Sequence, residues 1–159
     1  MRRKKSWKEK LHNDNNLPKV IKIPPSMKSR WGKGTILIPS PRQVDEVMRK
    51  VPKGRVITIN EIRAALASRH HATMGCPITT GIFAWVAANA AEEAAREGKK
   101  RITPYWRTLK SGGELNPKYP GGIENQRAHL EAEGHRVVQK GQKYLLVGHD
   151  KVLAKLPAQ

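Results

Sequence analysis

The chain has 159 residues, with 31 Lys and Arg against 13 Asp and Glu, a formal charge of +18 and one cysteine. That length suits one domain with an extension and buries a core without metals or disulfides; the lone Cys76 excludes an intramolecular disulfide framework and fits a reducing, intracellular setting. No apolar run approaches the roughly 20 residues that span a bilayer, and the charge excess favours polyanionic partners, nucleic acid before an anionic membrane surface or an acidic protein.

The first 33 residues hold eleven Lys and Arg against Glu9 and Asp14, so they contribute +9, half of the total. Met1-Arg2-Arg3-Lys4-Lys5 has no apolar segment behind it and does not read as a signal peptide. Asn13 to Asn16, Pro18, Pro24 and Pro25 interrupt any helical period. Residues 1–34 are therefore expected to be a basic arm that a partner orders, and residues 35–159 the folded domain. Trp7 and Trp31 would clip the arm onto that domain or stack on bases, packing being the commoner use.

Thr35-Ile36-Leu37-Ile38 reads as a short buried strand. In Ser40-Pro41-Arg42-Gln43, Ser40 caps a helix, Pro41 suits its first turn and Gln43 reaches back to the cap. Val44, Val47, Met48 and Val51 form the buried stripe of that helix. Pro52-Lys53-Gly54 turns the chain, and Thr58 with Glu61 repeats the capping box before a second helix through Ile62, Ala65 and Leu66. Arg69 to Cys76 is a polar loop. Pro77 opens a long helix to about Glu97, stopped by Gly98, with Ile78, Ile82, Phe83, Val86 and Ala90 as its apolar face and Trp85 at the edge of that face. Helix, polar turn and helix outline a helix-turn-helix whose second helix is available to DNA. Arg107 to Gly122 reads as a loop or wing, and Ile123 to Glu133 as a third helix stopped by Gly134. Val137-Val138 and Tyr144-Leu145-Leu146-Val147 flank a hairpin turn at Gly141-Gln142, and Asp150 to Leu156 reads as a last short helix.

Thr103-Pro104-Tyr105-Trp106-Arg107, followed by Tyr119-Pro120-Gly121-Gly122-Ile123-Glu124, resembles the active-site segment and Gly-Gly helix start of the O6-alkylguanine-DNA alkyltransferases. Val51-Pro52-Lys53-Gly54-Arg55-Val56 resembles that family's approach to its DNA-binding unit, Pro77 to Asn89 its recognition helix, and Leu130-Glu131-Ala132-Glu133-Gly134 the stretch after its active site. The pieces keep the family's order from about Val51 to Gly134. The resemblance implies an α+β fold: a mostly helical, winged helix-turn-helix domain that enters the minor groove and flips a nucleotide, here with a small C-terminal β-hairpin and the basic N-terminal arm.

In that family the active-site segment reads Pro-Cys-His-Arg, and a histidine, a water and a glutamate activate the cysteine that accepts the alkyl group. Tyr105 stands at the cysteine's place here and Trp106 at the histidine's, while Glu133 matches the glutamate. Gly81 falls near the family's arginine that fills the gap left by the flipped base, and Ile59 where a helper tyrosine stands. A phenol with a pKa near 10 is a poor acceptor of a soft alkyl group. The resemblance thus points to the alkyltransferase-like branch, which lacks the acceptor cysteine, binds alkylated DNA without repairing it and marks it for excision repair.

Tyr105, Trp106, Arg107 and Glu133 are expected to form the base pocket, with the two aromatics either stacking on an extruded base or packing as core aromatics. Arg107 would brace the segment, and Glu133 has the alternative role of a surface acid at a helix end. Arg69, His70, His71, Thr79, Thr80, Gly81, Asn89, Lys99, Lys100 and Arg101 are the candidate DNA contacts. Two catalytic candidates remain: Cys76, because a helix N-terminus favours thiolates in general, and Glu114, a loop carboxylate able to activate water. His70, His71 and Cys76 supply too few ligands for a metal, and nothing implies a cofactor. The expected protein is a non-catalytic monomer that binds damaged, alkylated duplex DNA and hands it to excision-repair proteins. The alternatives are a repair enzyme on the same scaffold (a base-excising glycosylase, or an alkyltransferase using Cys76) and a general DNA- or RNA-binding architectural module.

Overall fold

A computed structural model describes residues 4–156. Met1, Arg2 and Arg3 of the expected arm, and Pro157, Ala158 and Gln159 of the expected domain, lie outside the described residues.

The two capping boxes start the helices they were read to start. Ser40 Oγ accepts the Gln43 amide while Gln43 Oε1 accepts the Ser40 amide, opening α3 (Pro41–Arg49). Thr58 and Glu61 do the same for α4 (Ile59–Arg69). The 20-residue α5 (Pro77–Arg96) packs against α3, α4 and a short N-terminal helix, α1 (Trp7–Leu11). Thr80, Ala84, Ala87, Ala88 and Ala91 fall on one stripe of α5 and are buried. Their small side chains let Val44, Val47 and Met48 of α3 and Ile62 and Leu66 of α4 approach closely, in a core completed by Leu37, Val51, Ile57, Tyr105 and Tyr119.

This packing overturns part of the expected apolar face. Val86 and Ala90 are buried and Phe83 is half-buried, but Ile78 and Ile82 lie on the opposite side of α5, 60% and 48% exposed, with Trp85 at 36%. The helix buries its smallest apolar residues and presents its largest, because close helix approach needs small side chains at the crossing.

The segment expected as a free arm is folded onto the domain. Ser6 caps α1, and the Glu93 carboxylate of α5 accepts the amides of Trp7 and Lys8 at 3.1 Å each. The Trp7 ring meets Trp85 edge-on with centroids 4.8 Å apart, so packing is the use made of Trp7. Further on, β1 (Lys19–Lys22) pairs antiparallel with β2 (Thr35–Ile38), which pairs in parallel with β4 (Met74–Gly75), giving the order β1-β2-β4. Between β1 and β2, a 3-10 turn (Pro25–Met27) and α2 (Lys28–Trp31) lay Met27 and Trp31 over buried Ile23, Ile36 and Cys76. Helices of four and five residues such as α2 and α1 carry too short a period to be read in advance. Tertiary packing rather than propensity holds them.

Beyond α5, β3 (Ile57–Thr58) and β5 (Thr108–Leu109) pair in parallel. Helix α6 (Gly122–Ala132) and the hairpin of β6 (Val137–Lys140) and β7 (Lys143–Leu146) enclose a second core of Val56, Leu109, Leu115, Leu130, Val137 and Leu146. The hairpin turns at Gly141-Gln142 as read, with Gly141 at φ +61°, where glycine carries no Cβ penalty. The stretch read as a loop or wing holds β5, a 3-10 turn at Ser111–Gly113 and a loop stapled from below by buried Gln126. Gln126 Oε1 accepts the Asn116 amide at 2.7 Å, and its Nε2 donates to the Trp106 and Thr108 carbonyls. The expected last helix is not formed. After a single 3-10 turn at His149–Lys151 the chain is extended, exchanging backbone bonds with Val56 through Val152 and Ala154, because an unpaired edge there needs partners. Among the described residues, no helix is long and apolar enough to cross a membrane.

The N-terminal sheet depends on a close contact at Gly34, whose φ is +117° and where a Cβ would lie 2.3 Å from Thr73 Oγ1. Gly34→Ala is expected to lower stability by about 1–3 kcal/mol, a fall in Tm of roughly 2–10 °C for a domain of this size, read by circular-dichroism melting. An unchanged Tm would mean that this junction is not closed in solution.

Candidate nucleic-acid interface

The four residues expected to form a base pocket are brought together, but they close on each other. Tyr105, in a 3-10 turn (Tyr105–Arg107), is 0% exposed. Its hydroxyl donates to Glu92 at 2.9 Å and accepts from Asn125 Nδ2 at 2.9 Å. Burial, then the hydrogen bond to Glu92 and its negative charge, push the phenol up to about 12 against the smaller opposing effect of Asn125. Trp106 stacks on His129 with centroids 4.1 Å apart, meets Tyr105 edge-on, and donates Nε1–H to Glu133 at 2.9 Å.

Glu133 is the centre of this cluster. Its carboxylate accepts from Arg107 Nε and Nη2 at 2.9 and 2.8 Å, from Trp106, and from the Gly54 amide at 3.3 Å. Arg107 also donates to the Val51 carbonyl at 2.8 Å. The pair therefore ties the Val51–Gly54 turn, the 3-10 turn and the end of α6 together, and both side chains are almost fully buried. Burial alone would raise the carboxyl's pKa. The hydrogen bonds from Arg107, Trp106 and Gly54 and the guanidinium charge outweigh it and hold the group below the ordinary glutamate value. In this structure the four residues read as a base pocket form a closed cluster: Arg107 ties the segment to Val51 and Glu133, Tyr105 is a buried core aromatic, and Glu133 is an internal acceptor.

The catalytic candidates are also engaged. Cys76 is buried as the N-cap of α5, its Sγ accepting the Thr79 amide at 3.5 Å. Glu114 faces Lys110 across 3.8 Å and is bridged on its backbone to Leu145 of β7.

Of the candidate DNA contacts, Thr80 is buried with its hydroxyl donating to the Cys76 carbonyl at 2.6 Å, so it is corrected to a core residue. The Thr79 hydroxyl is also buried and has no hydrogen-bond partner. Arg69 is half-buried, His70 shares a 2.8 Å hydrogen bond with Gln43 of α3, and His71 is exposed at φ +54° in the turn between α4 and α5. Asn89 donates to the Trp85 carbonyl. Exposed Lys99, Lys100 and Arg101 follow the far end of α5, which at about 1.5 Å per residue is roughly 30 Å long. They do not meet Gly81.

Gly81 does line an open groove of 850 Å³ between the outer face of α5, the start of α4 and the 110–118 loop. Ile78, Ile82, Trp85 and Ile59 supply much of its apolar surface, with Pro77 and Pro117 also lining it. Arg63, Lys110 and Lys118 stand on its rim, and no carboxylate lines it among the described residues. Trp85 is fixed on both sides: its Nε1 donates to the Lys118 carbonyl at 3.1 Å and its ring edge rests on Trp7. On the opposite wall Arg63 donates to the Gly75 carbonyl and to Asn60, which in turn donates to Ser111. Most of these residues were not singled out in the sequence. The available signal was the alanine repeat at 84, 87, 88 and 91, which marks the buried face and places 78, 82 and 85 opposite it.

No protein-family model matches the chain, and none of the curated proteins does. Among solved structures, S. pombe Atl1 in complex with damaged DNA containing O6-carboxymethylguanine is similar at 19% identity with a TM-score of 0.48. S. pombe ATL in complex with DNA is similar at 19% identity with a TM-score of 0.46. Each match covers 73% of this chain and 94% of the other.

Because Glu133 has a lowered pKa when folded, its contribution to stability is full above the ordinary carboxylate range and is lost as pH falls through the folded value. Denaturant unfolding from pH 7 to pH 3 is expected to show stability declining below about pH 4.5. In Glu133→Gln that decline should be shallower, with a lower starting stability of about 3 kcal/mol, since Arg107 keeps its charge without a partner. Equal pH profiles for the two proteins would remove Glu133 from this role.

Proposed function

We propose that this protein binds duplex DNA through the outer face of α5, recognises a damaged, alkylated base by extruding it into the adjacent groove, and leaves the base chemically unchanged. The observation that carries the reading is the groove itself: an apolar slot of 850 Å³ with an aromatic wall, a cationic rim and no lining carboxylate. Duplex DNA offers phosphates to Arg63, Lys110 and Lys118, and an extruded base offers a ring face to Trp85. Every base has such a face, so stacking alone does not select a sequence. Selectivity for damage arises because extrusion costs least where pairing is already weak.

The non-catalytic part of the reading rests on the state of the nucleophiles. The Cys76 sulfur is spent on capping α5, and the Tyr105 phenol is buried, doubly hydrogen-bonded and harder to ionise than a free tyrosine. A binder of this kind exposes the lesion to other proteins instead of repairing it, which fits a monomer acting ahead of excision-repair proteins.

The test is a fluorescence-anisotropy titration of two duplexes that differ only by one O6-methylguanine, at about 0.15 M salt, where distant surface charges are screened. A preference of at least about tenfold for the lesion, roughly 1.4 kcal/mol, is expected. Trp85→Ala and Ile82→Glu should abolish that preference. Tyr105→Phe should keep it while costing about 1–2 kcal/mol of stability through lost hydrogen bonds. Equal affinity for both duplexes would refute damage recognition and favour a general nucleic-acid binder. A mass gain on the protein, or release of a free base, would refute the non-catalytic reading.

A further inference from the structure

The N-terminal sheet carries a surface that the groove does not account for. Lys19 and Lys22 of β1, Lys28 and Arg30 of α2, and Lys33 beyond it are all exposed, and residues 15–44 contain no Asp or Glu. None of the five cations has an ion pair among the described residues. Five like charges on 15 residues repel one another, a cost that a bound polyanion removes.

Their position is fixed relative to α5. Met27 and Trp31 pack on Ile36 and on Cys76, the cap of α5. The Thr35 amide donates to Thr73 Oγ1 at 3.0 Å and the Thr73 amide to Thr35 Oγ1 at 3.1 Å, so the end of this segment is fastened to the turn between α4 and α5. The β1-β2-β4 order sets β1 two strand spacings, about 10 Å, from the chain that leads into α5. That offset corresponds to about three nucleotides along one strand of a duplex. A loose arm would sample many positions; this one presents its charges at one.

We propose that the β1–α2 segment, through Lys19, Lys22, Lys28, Arg30 and Lys33, is a second phosphate-binding surface that lengthens the footprint on duplex DNA beyond the α5 groove. It rests on the DNA-binding reading given above and supplies the part of the affinity that is indifferent to damage. Each phosphate neutralised adds about 0.9 to the slope of log affinity against log salt. Five contacts would add about 4.5, equivalent to roughly 500-fold between 50 and 200 mM salt.

The experiment compares the full chain with a variant carrying Lys19→Gln, Lys22→Gln, Lys28→Gln, Arg30→Gln and Lys33→Gln, on duplexes of 8 and 20 base pairs, each with and without the lesion. All five side chains are exposed, and a matching thermal melt verifies that the variant is folded. The expected variant has a salt slope shallower by about 2–4.5, an equal loss of affinity on lesion and intact DNA, an unchanged lesion preference, and no gain from the longer duplex. A slope change below about 1, or an affinity gain from duplex length that the variant retains, overturns the second surface while leaving the groove reading standing. A parent protein that binds neither duplex overturns both. Loss of lesion preference in the variant would assign these cations to the groove instead.

Discussion

The arrangement of this molecule follows from which side of α5 is buried. A helix crossing α3 and α4 closely must offer small residues at the crossing, and Thr80, Ala84, Ala87, Ala88 and Ala91 provide them. Once that face is fixed, Ile78, Ile82 and Trp85 project away from the core. Leaving an isoleucine in water forgoes roughly 1.5–3 kcal/mol of burial, yet two stand side by side on one helix, about 6 Å apart along its axis. Exposed apolar residues scattered singly need no explanation, but a contiguous strip bordered by cations does. The groove on α5 is thus a consequence of core packing.

The second organising element is the carboxylate of Glu133, which gathers a cluster of polar groups. Carboxylate, guanidinium and indole meet within 3 Å and satisfy one another, with the buried Tyr105 hydroxyl served separately by Glu92 and Asn125. Breaking such a pair leaves a buried charge without a partner, so the cluster is costly to open. Its work is to hold the Val51–Gly54 turn and the end of α6 in register, and through Gln126 the loop that forms one wall of the groove. The surface that faces solvent lies beside this cluster, on α5.

How far the sequence disclosed this differs by element, for physical reasons. Helix starts were legible because a capping box is a local interaction, complete within four residues at Ser40 and at Thr58. The Gly141 turn and the Thr35–Ile38 strand were legible for the same reason. The burial of Tyr105, the exposure of Ile78 and the docking of residues 4–34 were not, since each is decided by residues distant in sequence: Glu92 and Asn125, the α3–α5 crossing, and Glu93 with Thr73. Residue size misled in α5, where the buried face is the one with less apolar surface per residue. Composition alone suggested disorder for the N-terminal segment, but its Trp7, Leu11, Ile23 and Trp31 are enough to dock it.

That docking changes what the positive charge of this segment can do. In a disordered arm the same lysines would pay conformational entropy on every contact, of order 1–2 kcal/mol for each backbone position fixed. Folded onto Cys76 and Thr73, the segment has met that cost from its own packing before any partner arrives. Preorganised cations lose less on meeting a polyanion than cations on a disordered arm do. The same folding anchors Trp7 against Trp85, so the N-terminal segment also sets the wall of the groove. Charge placement and groove shape are consequently coupled through one short helix and one sheet. A change that loosens α1 acts on both, because Glu93 holds α1 from the helix that presents Trp85.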